Sequence, residues 1–175
     1  MRKSKMVAAL ILVLLLWQLF RPAEKVDYVN HVEDMLNIQL TNGQIVDSII
    51  EERGPHGDGA TYIALRFPED ISDQLMGEYW HALPMSVNVS TVFYGREAEH
   101  TTYAPLLSGS LYENGDFGEP ILPQIPNGCW YFYDRHSEAT DPANDTWLYS
   151  RHSWNFTAAV YDADTRTLHY FAFDT

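Results

Sequence analysis

The chain has 175 residues, one cysteine and a formal charge of −13. Five of its eleven basic residues precede Val26, which leaves six arginines and no lysine against 23 acids, a net −17 for residues 26–175. Such a surface excludes nucleic acid as a partner, because phosphates need basic neutralising groups. It also disfavours lying flat on anionic lipid, and a single cysteine excludes an intrachain disulfide.

The start, Met1-Arg-Lys-Ser-Lys5, is cationic, and Met6 to Phe20 is apolar except for Gln18. As a helix those fifteen residues would span about 22 Å, against a bilayer core of about 30 Å. Lys5 and Arg21 can snorkel to the headgroups and extend the reach. The exit, Gln18-Leu-Phe-Arg-Pro-Ala23, lacks the small-residue pattern of a cleavage site. Residues 1–25 are therefore expected to be an uncleaved signal anchor, a single transmembrane helix in the cell membrane. More basic groups precede the span than follow it, so the positive-inside rule places residues 26–175 outside the cytoplasm as one acidic domain.

Along that domain, Val26, Val29, Val32, Met35 and Leu36 recur at helical spacing and predict a helix over 23–38. Thr41-Asn-Gly43 is a turn signal. Residues 44–52, with Ile45, Val46, Ile49 and Ile50, predict a strand. Residues 61–67 predict a second, half-buried strand, paired with the first through the glycine-rich link Gly54-Pro-His-Gly-Asp-Gly59. Acids in the first turn after Pro68 predict a helix ending near Trp80. Val87, Val89 and Val92 predict a strand over 87–94, and residues 95–128 read as a long irregular connection.

Residues 129–133 predict a short aromatic strand, and residues 154–161 and 167–173 two more, joined as a hairpin by Asp162-Ala-Asp-Thr-Arg-Thr. In the last two, Phe156, Ala158 and Val160, and then Leu168, Tyr170 and Ala172, mark alternating faces. The expected fold is α+β, a mainly antiparallel sheet of five or six strands with one or two helices on one face. Cys129, beside Trp130 in an aromatic run, reads as a buried, inert thiol.

One pattern occurs twice, as Tyr133-Asp-Arg-His-Ser137 and Tyr149-Ser-Arg-His-Ser153. If the strands ending at 133 and starting at 154 are neighbours, the segment between them is one excursion at the sheet edge. Arg135, His136, Arg151 and His152 would then flank Glu138, Asp141 and Asp145. In the plainest reading the arginines pair with those carboxylates, and Asp141-Pro142 and Asn144-Asp145 are turn chemistry. Three functional readings stand beside it. Glu138, Asp141, Asn144 and Asp145 offer oxygen ligands for Ca²⁺, though not at EF-hand spacing. His136 or His152 coupled to Asp134 or Glu138 would be an acid–base site. The two arginines would make an anion pocket. His56 and Asp58 in the glycine-rich link could join a metal site if they met His136 or Asp134 in space.

The stretches His56-Gly-Asp-Gly-Ala-Thr-Tyr-Ile63, Tyr133 to Asp141 and Asn155 to Thr175 resemble small bacterial proteins that pair an N-terminal membrane segment with a soluble domain. That resemblance implies a bacterial, membrane-anchored protein and carries no activity. The expected function is that of an extracytoplasmic interaction domain that catalyses nothing and binds a cationic protein partner. The alternative is a Ca²⁺ or Zn²⁺ binding domain, or a metal-dependent hydrolase, centred on residues 134–152.

Overall fold

The computed structural model describes residues 27–53, 58–108, 118–136 and 139–175. The anchor expected over 1–25, and with it the transmembrane helix, lies outside the described residues, as do His56 and Glu138. Among the described residues no helix is long and apolar enough to cross a membrane.

Among the described residues three helices and eight strands follow in order: α1 (Tyr28–Leu36), β1 (Gln44–Arg53), β2 (Asp58–Arg66), α2 (Ser72–Leu75), β3 (Trp80–Ala82), α3 (Val87–Tyr94), β4 (Arg96–Ala98), β5 (Thr101–Tyr103), β6 (Gly128–Asp134), β7 (Asn155–Asp162) and β8 (Thr167–Asp174). Six strands form one antiparallel sheet in the order β1-β2-β8-β7-β6-β3, and β4-β5 is a separate small hairpin. The α+β expectation and its antiparallel sheet therefore hold, as does the pairing of the strands on either side of the 135–154 excursion, with Asp134 opposite Phe156.

The sheet is buried on both faces. Phe132, Phe156, Ala158, Val160, Phe171 and Phe173 pack on one face beneath α3, with Val89, Val92 and Phe93. Tyr131, Ala159, Tyr161, Leu168 and Tyr170 pack on the other beneath α1, with Val32 and Leu36. Helices on one face alone were expected, so this is a correction. Its reason is visible in β7, where both alternating sets, Phe156/Ala158/Val160 and Thr157/Ala159/Tyr161, are buried. A strand covered on two sides is apolar on both. The same correction applies to β2, expected half-buried, whose Tyr62, Ile63, Ala64 and Leu65 are all buried.

Two further expectations fail. Residues 87–94 are a helix, not a strand. Ser86 caps it by accepting from the Val89 N–H at 3.1 Å, and Val89, Val92 and Phe93 bury one helical stripe. The cap and the stripe outweigh the modest cost of valine in a helix. The helix expected after Pro68 shrinks to one turn, and Trp80–Ala82 leaves it to pair with Cys129–Tyr131 as the far edge of the sheet.

Candidate functional site

Each strand of the excursion ends in a residue that fixes the loop. Asp134, the last residue of β6, is 5% exposed. Its Oδ1 accepts from the His136 N–H at 3.0 Å and its Oδ2 from Arg151 Nη1 at 2.7 Å. The Asp134 N–H donates to the Pro142 carbonyl at 2.7 Å. Downstream, the chain folds in successive tight turns, Asn144 N–H to Asp141 O, Leu148 N–H to Asp145 O and Ser150 N–H to Trp147 O. Asp141 and Asn144 each close a turn with the side-chain oxygen, on Ala143 and Thr146, which is the chemistry that favours these residues there. Leu148, fully buried, plugs the loop into the α3 face of the core.

The two copies of the repeated pattern do different things. Tyr133 packs on the α1 face, edge-on to Tyr79 at 5.0 Å. Tyr149 packs on the α3 face, edge-on to Tyr103 at 5.3 Å. Arg135 leaves the loop and reaches the end of β8, binding Asp174 at 2.8 and 3.1 Å, the Phe156 carbonyl at 2.9 Å and Thr157 Oγ1 at 3.2 Å. Arg151 turns back to Asp134. Among the described residues neither arginine pairs with Asp141 or Asp145, and both reach strand ends; Glu138, the third carboxylate of the expected clamp, lies outside the described residues. Asp145 is engaged elsewhere: its carboxylate accepts from the Ser86 hydroxyl, and its carbonyl from Asn88 Nδ2 at 3.0 Å. His136 is half-buried and His152 exposed.

A cavity of about 380 Å³ opens between these turns. Asp134, His136, Thr140, Asp141, Trp147 and Arg151 line it. Asp134 and Arg151 form its paired floor. Arg151 spends only Nη1 on that pair; its Nε and Nη2 are closed to solvent and meet no hydrogen-bond partner among the described residues. Trp147 is 68% exposed at the rim.

Asp58 does not join this group. It starts β2 at the same end of the sheet, but β8 and β7 lie between it and β6. Three strand spacings make about 14 Å. Among the described residues no three of His, Cys, Asp and Glu gather as a metal site. Cys129 is buried at 2% exposure, and burial, with Asp70 adding to it, pushes its thiol up to about 11.

Sequence reasoning missed a second polar group, near the turn end of the sheet. His169 stacks on Tyr62, with Nδ1 3.0 Å from the phenol oxygen. Burial pulls its imidazole down to about 4, against the opposing pull of Asp162 and Asp47. The same burial holds the Tyr62 phenol well above its usual range. His169 is thus a satisfied structural histidine, and it borders a cavity of about 330 Å³ with Asp47, Arg66 and Asp162. Its signal was the His-x-Phe alternation with Tyr170 in β8, which put it on the α3 face.

No family model matches the chain, and no curated protein and no solved structure matches it either.

Proposed function

We propose that residues 26–175 are a non-catalytic recognition domain, tethered to the cell membrane and facing outside the cytoplasm, that binds a cationic protein along β1. The observation that carries this reading is the free edge of β1. Ten residues long, among the described residues it pairs on one side only, with β2. Ile45, Val46 and Ile50 stand 44%, 47% and 38% exposed on it. Edge strands are usually shielded by charged side chains, above all lysine, by proline or by shortness; β1 has no lysine and no proline, and its charges are mostly acidic. A bulge at Val46 and the acids Asp47 and Glu51 are its protection against indiscriminate pairing.

An extended segment added to that edge would satisfy its open backbone groups while alternate side chains met Ile45 and Ile50. Asp47 and Glu51 on the same strand, and the −17 of the domain, favour lysine and arginine in the partner. Two groups often used in chemistry serve packing here instead, the Cys129 thiol inside the sheet and the imidazole of His169 against Tyr62.

The test uses the full chain in detergent micelles and two fluorescent decapeptides, alternating Val-Lys and alternating Val-Glu. The Val-Lys peptide should bind, weaken as salt rises, and be lost with Ile50→Lys. Equal binding of both peptides, or binding untouched by Ile50→Lys, would overturn the reading. Concentration-dependent self-association removed by the same substitution would replace the partner by a second copy of the chain.

A further inference from the structure

We propose that Asn42 is a site of spontaneous deamidation, at which the backbone of the next residue displaces the side-chain amide and water turns the entrance to β1 into aspartate and isoaspartate.

The sequence holds Asn-Gly three times, at Asn42, Asn114 and Asn127. The first and the last lie among the described residues. The chemistry is local. The glycine nitrogen attacks the asparagine Cγ, the new C–N bond closes a five-membered imide, and ammonia leaves with the proton that the nitrogen gives up. Water then adds to one of the two imide carbonyls. Opening one C–N bond gives aspartate, and opening the other gives isoaspartate, whose backbone runs through the side-chain carbons. Nothing is oxidised or reduced: one amide and one water become one carboxylate and one ammonium ion. Glycine favours the attack because no Cβ shields its nitrogen or restricts its backbone.

What separates the two pairs is how firmly each is held. Asn42 is exposed, in the turn between α1 and β1. Among the described residues neither its side chain nor the Gly43 N–H has a hydrogen-bond partner. Asn127 is also exposed but clamped. Its Nδ2 donates to Asp164 Oδ1 at 3.0 Å, and its carbonyl accepts from the Ala163 N–H at 3.0 Å. Gly128 is seated against the Tyr161 carbonyl of β7. Closing an imide there would break the bond to Asp164 and draw into the ring a carbonyl that is tied to the β7–β8 turn.

The fold also explains why the reactive pair stands at the turn. Asn42 has φ +64°, in the left-handed region that asparagine tolerates better than most residues with a side chain. A Cβ at Gly43 would fall 2.9 Å from Phe67 Cε1, on a ring only 2% exposed. The turn therefore asks for asparagine and then glycine, and the reactivity comes with them. Its product adds a negative charge and, as isoaspartate, one carbon of backbone close before Gln44, which pairs with Arg66. The reaction is independent of the binding proposed at β1.

The test is peptide mapping by mass spectrometry of the full chain in detergent, incubated in heavy-oxygen water at mildly alkaline pH, both folded and in urea. In the folded chain the Asn42 peptide should gain a heavy-oxygen carboxylate at least fivefold faster than the Asn127 peptide, as a mixture of aspartate and isoaspartate. In urea, where both pairs are released, that difference should disappear. Gly43→Ala should slow the reaction at Asn42 at least fivefold. Because a Cβ there presses on Phe67, the slowing is read in urea as well, where it does not depend on folding. A smaller difference between Asn42 and Asn127 in the folded chain would overturn the proposal. So would a difference that persists in urea, aspartate without isoaspartate, or a rate unmoved by Gly43→Ala.

Discussion

Arg135 and Asp174 are joined by two hydrogen bonds, Nη1 to Oδ1 at 2.8 Å and Nη2 to Oδ2 at 3.1 Å, across the end of β7. The pair ties the exit of β6 to the last residues of β8, so three adjacent strands end in one knot. The Thr175 N–H, bonded to the Trp154 carbonyl at 2.9 Å, finishes it. Both side chains are about 30% exposed, which weakens the ionic contribution. The bond to the Phe156 carbonyl and the packing of the arginine stem remain.

Arg135→Ala should therefore cost about 2 kcal/mol, the range for a hydrogen-bonded charge whose partners stay behind. Arg135→Lys should recover only part of it, because an ammonium cannot hold Asp174 and the Phe156 carbonyl in one plane. Urea unfolding of the three proteins measures both differences. A loss below about 0.5 kcal/mol for the alanine variant would show the knot to be a surface pair of ordinary weakness.

Ser86 offers a test of the helix over 87–94. Its hydroxyl accepts from the Val89 N–H as an N-cap and donates to the Asp145 carboxylate. Ser86→Ala removes the cap, worth about 1 kcal/mol, and the link to the excursion loop. A loss of about 1–2 kcal/mol in thermal unfolding is expected, with Ser86→Asp keeping the cap but setting a second carboxylate against Asp145. A neutral Ser86→Ala would argue against a capped helix at this place.

The three C-terminal strands were legible because alternation is a local property: Phe156, Ala158 and Val160 sit on one face whatever else the chain does. What alternation alone did not give was the second layer. Apolar residues occupy both sets of β7, and that is a statement about two covering elements, α1 and α3, one of which had been read as a strand. The valines of 87–94 fit strand propensity, yet Ser86 and the spacing of Val89, Val92 and Phe93 carried the helical reading. The excursion was located correctly, since a repeated motif flanking acids and a proline marks a loop. Its pairing was not legible. Arg135 finds Asp174 at 39 positions' distance and Arg151 finds Asp134 at 17, choices set by sheet order, which no short-range pattern encodes.

His169 predicts a pH dependence. Burial holds its folded pKa at about 4, below the unfolded value of about 6.5. The unfolded chain therefore binds the proton first as pH falls. The stability linked to this histidine is fully present above about pH 6.5 and is lost between there and about pH 4, by up to about 3 kcal/mol before solvent relaxation reduces it. Partial exposure of the ring makes about half of that a fair expectation. His169→Gln should flatten the stability curve between pH 4 and 6.5 relative to the native chain. Parallel curves would mean that the imidazole is hydrated in the fold.

Gly128 and Gly77 make a matched pair of glycines. Gly128 opens β6 at φ +144°, and a Cβ there would fall 1.8 Å from the Tyr161 carbonyl oxygen, a backbone atom of the neighbouring strand. Neither the dihedral nor the space admits a side chain. The position also seats the β6–β7 register, with Gly128 opposite Asp162 and the Ala163 N–H bonded to the Asn127 carbonyl at 3.0 Å. Gly128→Ala must push two central strands apart, and a loss above about 3 kcal/mol is expected, of the kind reserved for backbone clashes in a core. Gly77 follows α2, has an ordinary φ and would place its Cβ in open space. Gly77→Ala should be neutral, or stabilise by a few tenths of a kcal/mol through the unfolded chain. Melting temperatures of the two variants side by side decide the matter. A tolerated Gly128→Ala would mean that β6 and β7 do not meet in the register Gly128–Asp162, and would undo the placement of Asp134 opposite Phe156 that builds the excursion.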